Sequence, residues 1–550
     1  MSTTTATRPA ATRVSGRTRP LAGTGTLLRF NLRQDRIRLP LWIGGIALVQ
    51  ISGPSSYEGI YPGAAERQEQ ATVVGDNPAM KALTGPGHGL DDYTYGAMMT
   101  NEYLGFMVIA VALMSVFMVV RHTRTEEETG RAELVRAGVV GRYAQLTAAV
   151  LAAALANLVL GLLIAAGMAG QGIESIDWTG SLLFGAAYAA VGLFFAGVAA
   201  VTAQITEHAR AASGMAGALI GVAYAIRAAG DMADSGLSWL SPIGWAQATA
   251  AYVDDNWWPL GLAAMVTAAL VATAFALSDR RDIGAGLRDG RGGAATATPF
   301  LGTPAGFAWR LHRASVVWWG IAVFAFGFMY GSVIQVIEDY ADNDVVQQMI
   351  EQIGGASITE SWLSMIISIL AIVCTIFAVI AALRPRREET SGRAEPVLAT
   401  ALSRTRWVAT HLGIALGGGA VVLLLSGLGL GLGAVAATGD AGYLGQVVGA
   451  TLGYAPALWL TTALAVAVFG LVPRAAGLSW ALLVYAMLIV YLGGLLDLPG
   501  WMFNLSPYTH IPAMPADSFT ALPLVILTAI AAALIAIGLA GFRRRDLEAT

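Results

Sequence analysis

The sequence predicts an all-α polytopic membrane protein. About twelve transmembrane helices are expected, set as two parallel six-helix repeats, each carrying a short charged cytoplasmic helix. Three observations predict this. Of the 550 residues, 56% are hydrophobic and 13% charged, and the mean hydropathy is +0.62, too apolar for a water-soluble chain of this length. The apolar residues fall in runs of about 20, the length a helix needs to cross roughly 30 Å of hydrocarbon. Finally, one charged stretch between two such runs occurs twice. It reads Arg124-Thr-Glu-Glu-Glu-Thr-Gly-Arg-Ala-Glu133 and again Arg386-Arg-Glu-Glu-Thr-Ser-Gly-Arg-Ala-Glu395, at an offset of 262.

Residues 1–38 hold eight arginines and one acid, Asp35. No apolar stretch precedes Leu39, so a secretory signal peptide is not expected. The composition resembles an organellar transit peptide; the preferred reading is a disordered basic tail, then an amphipathic helix from Leu27 to Arg38 on an anionic leaflet. Spans are expected at about 39–56, 102–120, 143–168, 180–204, 212–229 and 257–277, then 316–336, 361–383, 407–433, 443–472, 475–496 and 520–541. The fifth carries Arg227 near its outer end. The chain thus divides into a basic tail with its lead-in helix (1–38), a first six-span repeat (39–283), a linker rich in Gly, Ala and Thr (284–306) and a second six-span repeat (307–550).

Arginines set the orientation. The tail, both charged stretches, the stretch between the sixth and seventh spans (Arg280, Arg281, Arg288, Arg291, Arg310, Arg313) and the C-terminus (Arg543, Arg544, Arg545) are basic. The alternate loops are acidic: 337–360 holds Glu338, Asp339, Asp342, Asp344, Glu351 and Glu360 with no Lys or Arg. Both termini and both charged stretches are therefore expected in the cytoplasm, and the acidic loops outside.

The repeat extends past the charged stretches. Arg210-Ala-Ala212 matches Arg474-Ala-Ala476, Leu240-Ser-Pro242 matches Leu505-Ser-Pro507, and Arg280-Arg-Asp-Ile283 matches Arg544-Arg-Asp-Leu547. Arg33, Arg36 and Trp42 match Arg310, Arg313 and Trp319. Six spans per half give both halves one orientation, related by a pseudo-two-fold axis along the membrane normal.

A solvated loop obeying the positive-inside rule explains the arginines of these stretches. It does not explain glutamates clustered on the same side and kept at one spacing in both copies. A docking surface explains both. Glu126, Glu127 and Glu133 would cap and charge the start of a short helix and Arg142 its end, with Gly130 or Gly392 bending it or admitting another backbone. The pattern Glu-x-x-x-Gly-x-x-Glu-Leu/Pro-Val-x-x-x-x-x-x-Arg, between the second and third spans of each half, resembles the coupling-helix signature of the second permease family of ABC exporters. The duplicated layout, with the Asn77-Pro-Ala-Met-Lys-Ala-Leu-Thr-Gly stretch and both Leu-Ser-Pro segments, looks like the polyketide-antibiotic and drug exporter permeases of actinobacteria. Arg131 and Arg393 stand where that family often has Thr, and Pro396 stands where the first copy has Leu134. The two surfaces are therefore expected to be unequal.

The resemblance implies a multi-pass protein of the bacterial plasma membrane. It would export a hydrophobic or amphipathic compound, such as an antibiotic, drug or lipid, by alternating access. The partner would be a separate ATPase subunit in two copies, which would bind the ATP and Mg. The docking residues would be Glu126, Glu127, Gly130, Arg131, Glu133 and Arg142, with Glu388, Glu389, Gly392, Arg393, Glu395 and Arg404. Their charges would face that ATPase and carry coupling rather than chemistry.

Independently of the resemblance, Lys81 is the only lysine, and it lacks the glycine pattern of a P-loop, so a standard ATPase site is excluded. There is no His-Glu-x-x-His, Cys-x-x-Cys or Gly-x-Ser-x-Gly pattern, and Cys374 is the single cysteine. No catalytic residue, cofactor, metal or nucleic-acid partner is expected of this chain. Candidate external gate residues are Glu102 and Glu360, which open the second and eighth spans, with Trp245 and Tyr508 beside the Leu-Ser-Pro segments; an aromatic belt and an interfacial carboxylate are the simpler readings of these. Arg227 and Asp231, one turn apart, suit a local pair. The alternative functions are an ion-coupled twelve-span secondary efflux transporter, which would want ionisable groups at the midplane, and a membrane-embedded transferase.

Overall fold

Inside hydrocarbon every backbone N–H and C=O must find a partner within its own segment, so apolar runs of this length fold as helices. A computed structural model describes residues 20–76, 78–282, 284–287, 295–341, 358–492 and 499–546, and the regular elements among them are helical. The chain forms two compact units, Met1–Gly292 and Gly293–Thr550. The tail arginines before Pro20, Asn77, Ile283, Arg288, Arg291, the acids Asp342, Asp344 and Glu351, and Leu547 lie outside the described residues.

The first unit begins with α1 (Thr24–Gln34) and α2 (Arg38–Ile60), joined by a short turn. Two short helices follow, α3 (Ala64–Asp76) and α4 (Pro78–Thr84). The second expected span is α5 (Tyr95–Glu128), which contains a π-helical turn near each end, at Met99–Tyr103 and Arg121–Thr125. Next come the short α6 (Arg131–Arg136) and the spans α7 (Ala144–Ala169), α8 (Trp178–Ile205) and α9 (Ala209–Met232). The short α10 (Pro242–Gln247) precedes the last span, α11 (Trp258–Ser278). Polar caps start several of these helices; the Asp177 side chain, for example, accepts from Gly180 N at 2.9 Å to open α8.

The second unit opens with α12 (Pro304–Gly331), capped by Thr303, and α13 (Ile334–Ala341). Then follow α14 (Ile358–Thr390), the short α15 (Ala394–Leu398) and α16 (Arg404–Thr438). The tenth expected span is two helices meeting at Tyr454, α17 (Gly442–Gly453) and α18 (Ala455–Leu471). The chain continues through α19 (Ser479–Leu492) and α20 (Gly500–Phe503) to α21 (Ala521–Arg544).

Among the described residues, eleven helices are long and apolar enough to cross a membrane. The expected twelfth, 39–56, coincides with α2, which has the length (23 residues) but is diluted by Gln50, Ser52, Pro54, Ser55 and Ser56. Where α1 and α2 are separated by a turn, the matching stretch of the second unit is one unbroken helix, α12. Each unit has its own apolar core, built around Leu104, Leu160, Phe184 and Phe195 in the first and Leu370, Phe377, Leu423 and Phe469 in the second. The glycine run 427–433 lets α16 lie directly on α12: a Cβ on Gly433 would sit 2.2 Å from Phe328 O, so only glycine permits this approach.

Candidate functional site: two charged elbows

Both charged stretches fold the same way. α5 runs to Glu128 and closes with Thr129 N donating to Thr125 O and Gly130 N to Glu127 O, each at 3.1 Å. Gly130 then takes φ 72°, and α6 leaves in a new direction. In the second unit Ser391 N donates to Arg387 O and Gly392 N to Glu389 O, again at 3.1 Å. Gly392 takes φ 70°, and α15 follows. Nothing lies within 4 Å of a Cβ placed on either glycine. The left-handed backbone, rather than lack of space, therefore calls for glycine at each elbow.

Each elbow is clasped from behind by an arginine that follows the last helix of its unit. Arg281 donates to both oxygens of Glu127, at 2.6 and 2.8 Å. Arg545 does the same to Glu389, at 2.7 and 2.8 Å. The side chains are 8% and 4% exposed in the first pair and 13% and 2% in the second. Planar guanidinium and planar carboxylate meet edge to edge, the geometry that best repays desolvation. The supports behind the two arginines differ. Arg281 Nε donates to Gln204 Oε1 at 2.7 Å, whereas Arg545 lies over the rings of Phe542 (4.7 Å) and Phe469 (5.0 Å). Glu127 also accepts from Arg124 at 2.5 Å; Arg124 is fully buried, and its Nε and Nη2 have no partner among the described residues. A second tie joins the start of the third span of each unit to the same closing segment. Arg142 reaches Asp279 at 3.0 Å, and Arg404 Nη1 donates to Arg545 O at 3.0 Å.

The expectation that Glu127 and Glu389 face outward is therefore corrected: both turn into their unit. The outer limbs carry the charges that remain open. Arg131, Glu133, Arg393 and Glu395 are exposed. Glu126 lies 3.7 Å from Arg131, and Glu388 lies 3.4 Å from Arg384. Leu134 and Val139, 78% and 81% exposed, stand beside the first limb, where the second has Pro396 and Ala401.

The first elbow is further held to the lead-in helix. Asp35 accepts from Arg121 at 3.1 Å and meets His122 Nε2 at 2.5 Å, while Gly141 N donates to Ala22 O at 2.8 Å and Tyr143 N to Pro20 O at 3.0 Å. Burial alone would raise the Asp35 carboxyl, but the hydrogen bond and charge of His122 and the guanidinium of Arg121 outweigh it and hold it below its ordinary value. A carboxyl lowered in the folded state stabilises above its unfolded pKa of about 3.9, and that stabilisation is lost as pH falls through the folded value. Acid below roughly pH 4 is thus expected to loosen α1. Asp35→Asn should lower the melting temperature at neutral pH and flatten its acid dependence; an unchanged acid limb would mean other carboxylates govern it.

Comparison with known proteins places this architecture. The family model described as "Multidrug efflux system permease Rv1217c, C-terminal domain" matches residues 26–277 and 301–543. The multidrug efflux system permease protein Rv1217c of Mycobacterium tuberculosis (strain ATCC 25618 / H37Rv) is 40% identical over 548 residues, covering 98% of each chain. The chain belongs to the Rv1217c multidrug efflux permease family.

In this Rv1217c-family chain, a multi-pass membrane protein, three of the four external candidates make side-chain hydrogen bonds within their own units. Glu102 accepts from Tyr57 Oη (2.6 Å), Tyr93 Oη (3.0 Å) and Gln70 Nε2 (3.4 Å), which ties α2, α3 and the 85–94 loop to α5. Its side chain is half-buried among these elements. Glu360 is half-buried in the first turn of α14. Trp245 donates its indole N–H to Trp239 O at 2.7 Å. Tyr508 is buried and bonds Thr375 Oγ1 at 2.7 Å. Arg227 and Asp231 form the expected pair at 3.3 Å, fully inside. Among the described residues no cluster of three metal-ligating side chains occurs. Sequence reasoning missed Arg281, Arg545, Arg124, Asp35 and His122 as parts of the elbows. The matched Arg-Arg-Asp strings were the available signal for the first two.

Proposed function

We propose that this chain is the transmembrane permease subunit of an ATP-driven exporter, moving hydrophobic or amphipathic compounds outward by alternating access. A separate ATPase subunit, in two copies, powers it and binds the ATP and Mg, because the lone Lys81 offers no P-loop. Both elbows and both termini lie in the cytoplasm, following the arginines. One observation carries the reading: two elbows of the same geometry, each clasped to the segment after its unit's last helix and each presenting a short exposed limb. An element that relays motion must be stiff behind its contact and open in front. The buried bidentate pairs supply the first property, and the exposed charges with Leu134 and Val139 supply the second. Family membership supports the transport role, since the M. tuberculosis relative is named as a permease of a multidrug efflux system.

The test is co-purification with a candidate ATPase subunit, ideally one encoded beside this chain, followed by hydrolysis and transport in proteoliposomes. The variants belong on the exposed limbs, Arg131→Glu with Leu134→Asp and Arg393→Glu with Glu395→Arg, because Glu127 and Glu389 support the fold. Loss of complex or of coupled hydrolysis, with unchanged melting, is expected; opposed rim charges typically cost tenfold or more in affinity. If the chain purifies alone and moves substrate on a proton gradient without ATP, the secondary-transporter reading replaces this one.

A further inference from the structure

The turn between α1 and α2 forms a groove with an unusual charge balance. Arg33, Arg36, Arg38 and Arg121 line it, together with the apolar Phe30 and Ile37, around a cavity of about 660 Å³. It shares Arg38 and Arg121 with a second cleft of about 690 Å³, whose walls include Trp42, Met114 and Phe117. Acids on these walls are already engaged: Asp35 with Arg121 and His122, and Glu126 with Arg131. Arg33, Arg36 and Arg38 are exposed and make no ion pair with another described residue. The position is the junction of an amphipathic helix and the first helix after it, with Ile37 and Leu41 exposed beside the arginines. Three guanidinium groups without an ion pair, beside an Arg121 already shared with Asp35, call for an anion. The adjoining apolar walls call for an anion with a hydrocarbon tail.

We propose that this groove binds the phosphate headgroup of an anionic phospholipid, with Arg33, Arg36 and Arg38 on the phosphate and an acyl chain against Trp42 and Phe117. Guanidinium forks match phosphate oxygens, and each basic residue at a lipid surface strengthens binding appreciably. The bound lipid ties the lead-in helix to the membrane beside the first elbow, since Arg121 and Asp35 belong to both. The second unit supplies an internal control. Arg310 and Arg313 match Arg33 and Arg36 in sequence, but they are exposed on the uninterrupted α12, where no turn gathers them.

The experiment uses the full chain in detergent and native mass spectrometry, titrating short-chain phosphatidylglycerol, with short-chain phosphatidylcholine and inorganic phosphate as separate probes. Arg33→Gln with Arg36→Gln is expected to weaken phosphatidylglycerol binding on the order of ten- to thirty-fold. The matched pair Arg310→Gln with Arg313→Gln should leave it within about twofold. Melting curves check the fold, and Arg38→Gln alone serves if the first pair is unstable. Equal losses from both pairs would mean a diffuse basic surface and overturn the site, as would no loss from Arg33 and Arg36. If inorganic phosphate competes as well as the lipid, the groove is a free-anion site and the lipid assignment fails. None of these outcomes depends on the ATPase, so the site and the exporter reading fail separately.

Discussion

Arg281→Ala is expected to cost the first unit about 3–5 kcal/mol of stability, and Arg545→Ala a similar amount in the second. The reason is what remains: a carboxylate buried inside a helical unit with its bidentate partner gone. Removing both members of a buried pair is usually far milder than removing one. In the first unit, Glu127→Leu with Arg281→Met should recover only part of the loss, because the fully buried Arg124 also donates to Glu127. Adding Arg124→Met should complete the recovery. Melting temperatures of the purified chain read all of these. If Arg281→Ala and Arg545→Ala both melt like the parent, the clasps are ornamental and the proposed stiff lever loses its basis.

Asp231→Ala is the second large effect, again about 3–5 kcal/mol. Arg227 is fully buried in α9, lies over the Tyr224 ring at 4.4 Å and meets Asp231 at 3.3 Å. Among the described residues its Nε and Nη2 lack partners, and without the carboxylate its Nη1 keeps only a long bond to Lys81 O at 3.5 Å. Asp231 also accepts from Ser238 Oγ at 2.5 Å, which pins the segment before α10. Its loss should therefore free residues 235–240 as well as strand the charge. Hydrogen exchange across that segment, with the melting curve, measures both. Arg227→Met with Asp231→Leu should melt above Asp231→Ala while keeping the faster exchange. Equal melting of the two would place the cost in the Ser238 contact rather than in the stranded guanidinium.

The spans were legible because hydrocarbon imposes a length and a composition that a sequence displays directly. α2 was the exception: its length is right, but Gln50 and its serines make composition alone ambiguous. The elbows were legible as repeated strings, and their glycines as bends. Their clasps were not, because Glu127 and Arg281 are 154 residues apart and Glu389 and Arg545 are 156 apart. Local pattern says nothing about which of many arginines crosses such a distance. The outward assignment of Glu127 and Glu389 failed for a related reason. A run of acids looks solvated until one learns which of them has a buried cation waiting. Arg227 and Asp231 were readable because an i, i+4 spacing fixes neighbours without tertiary information.

The π-helical turns of α5 have a consequence for phase. A π turn accommodates one residue more than an α-helix would, and one residue is about 100° of rotation. A single helical wheel drawn through Tyr95–Glu128 therefore drifts by about that angle at Met99–Tyr103 and again at Arg121–Thr125. Glu102 lies within the first of these turns and Glu127 just beyond the second, so each owes its direction to an extra residue and not to the apolar face of the span. Substitutions in Arg121–Thr125 change what the turn touches. A one-residue deletion there would instead swing Glu127 about 100° away from Arg281 while leaving an unbroken helix. At this end of α5 the chain is constrained in length more tightly than in identity.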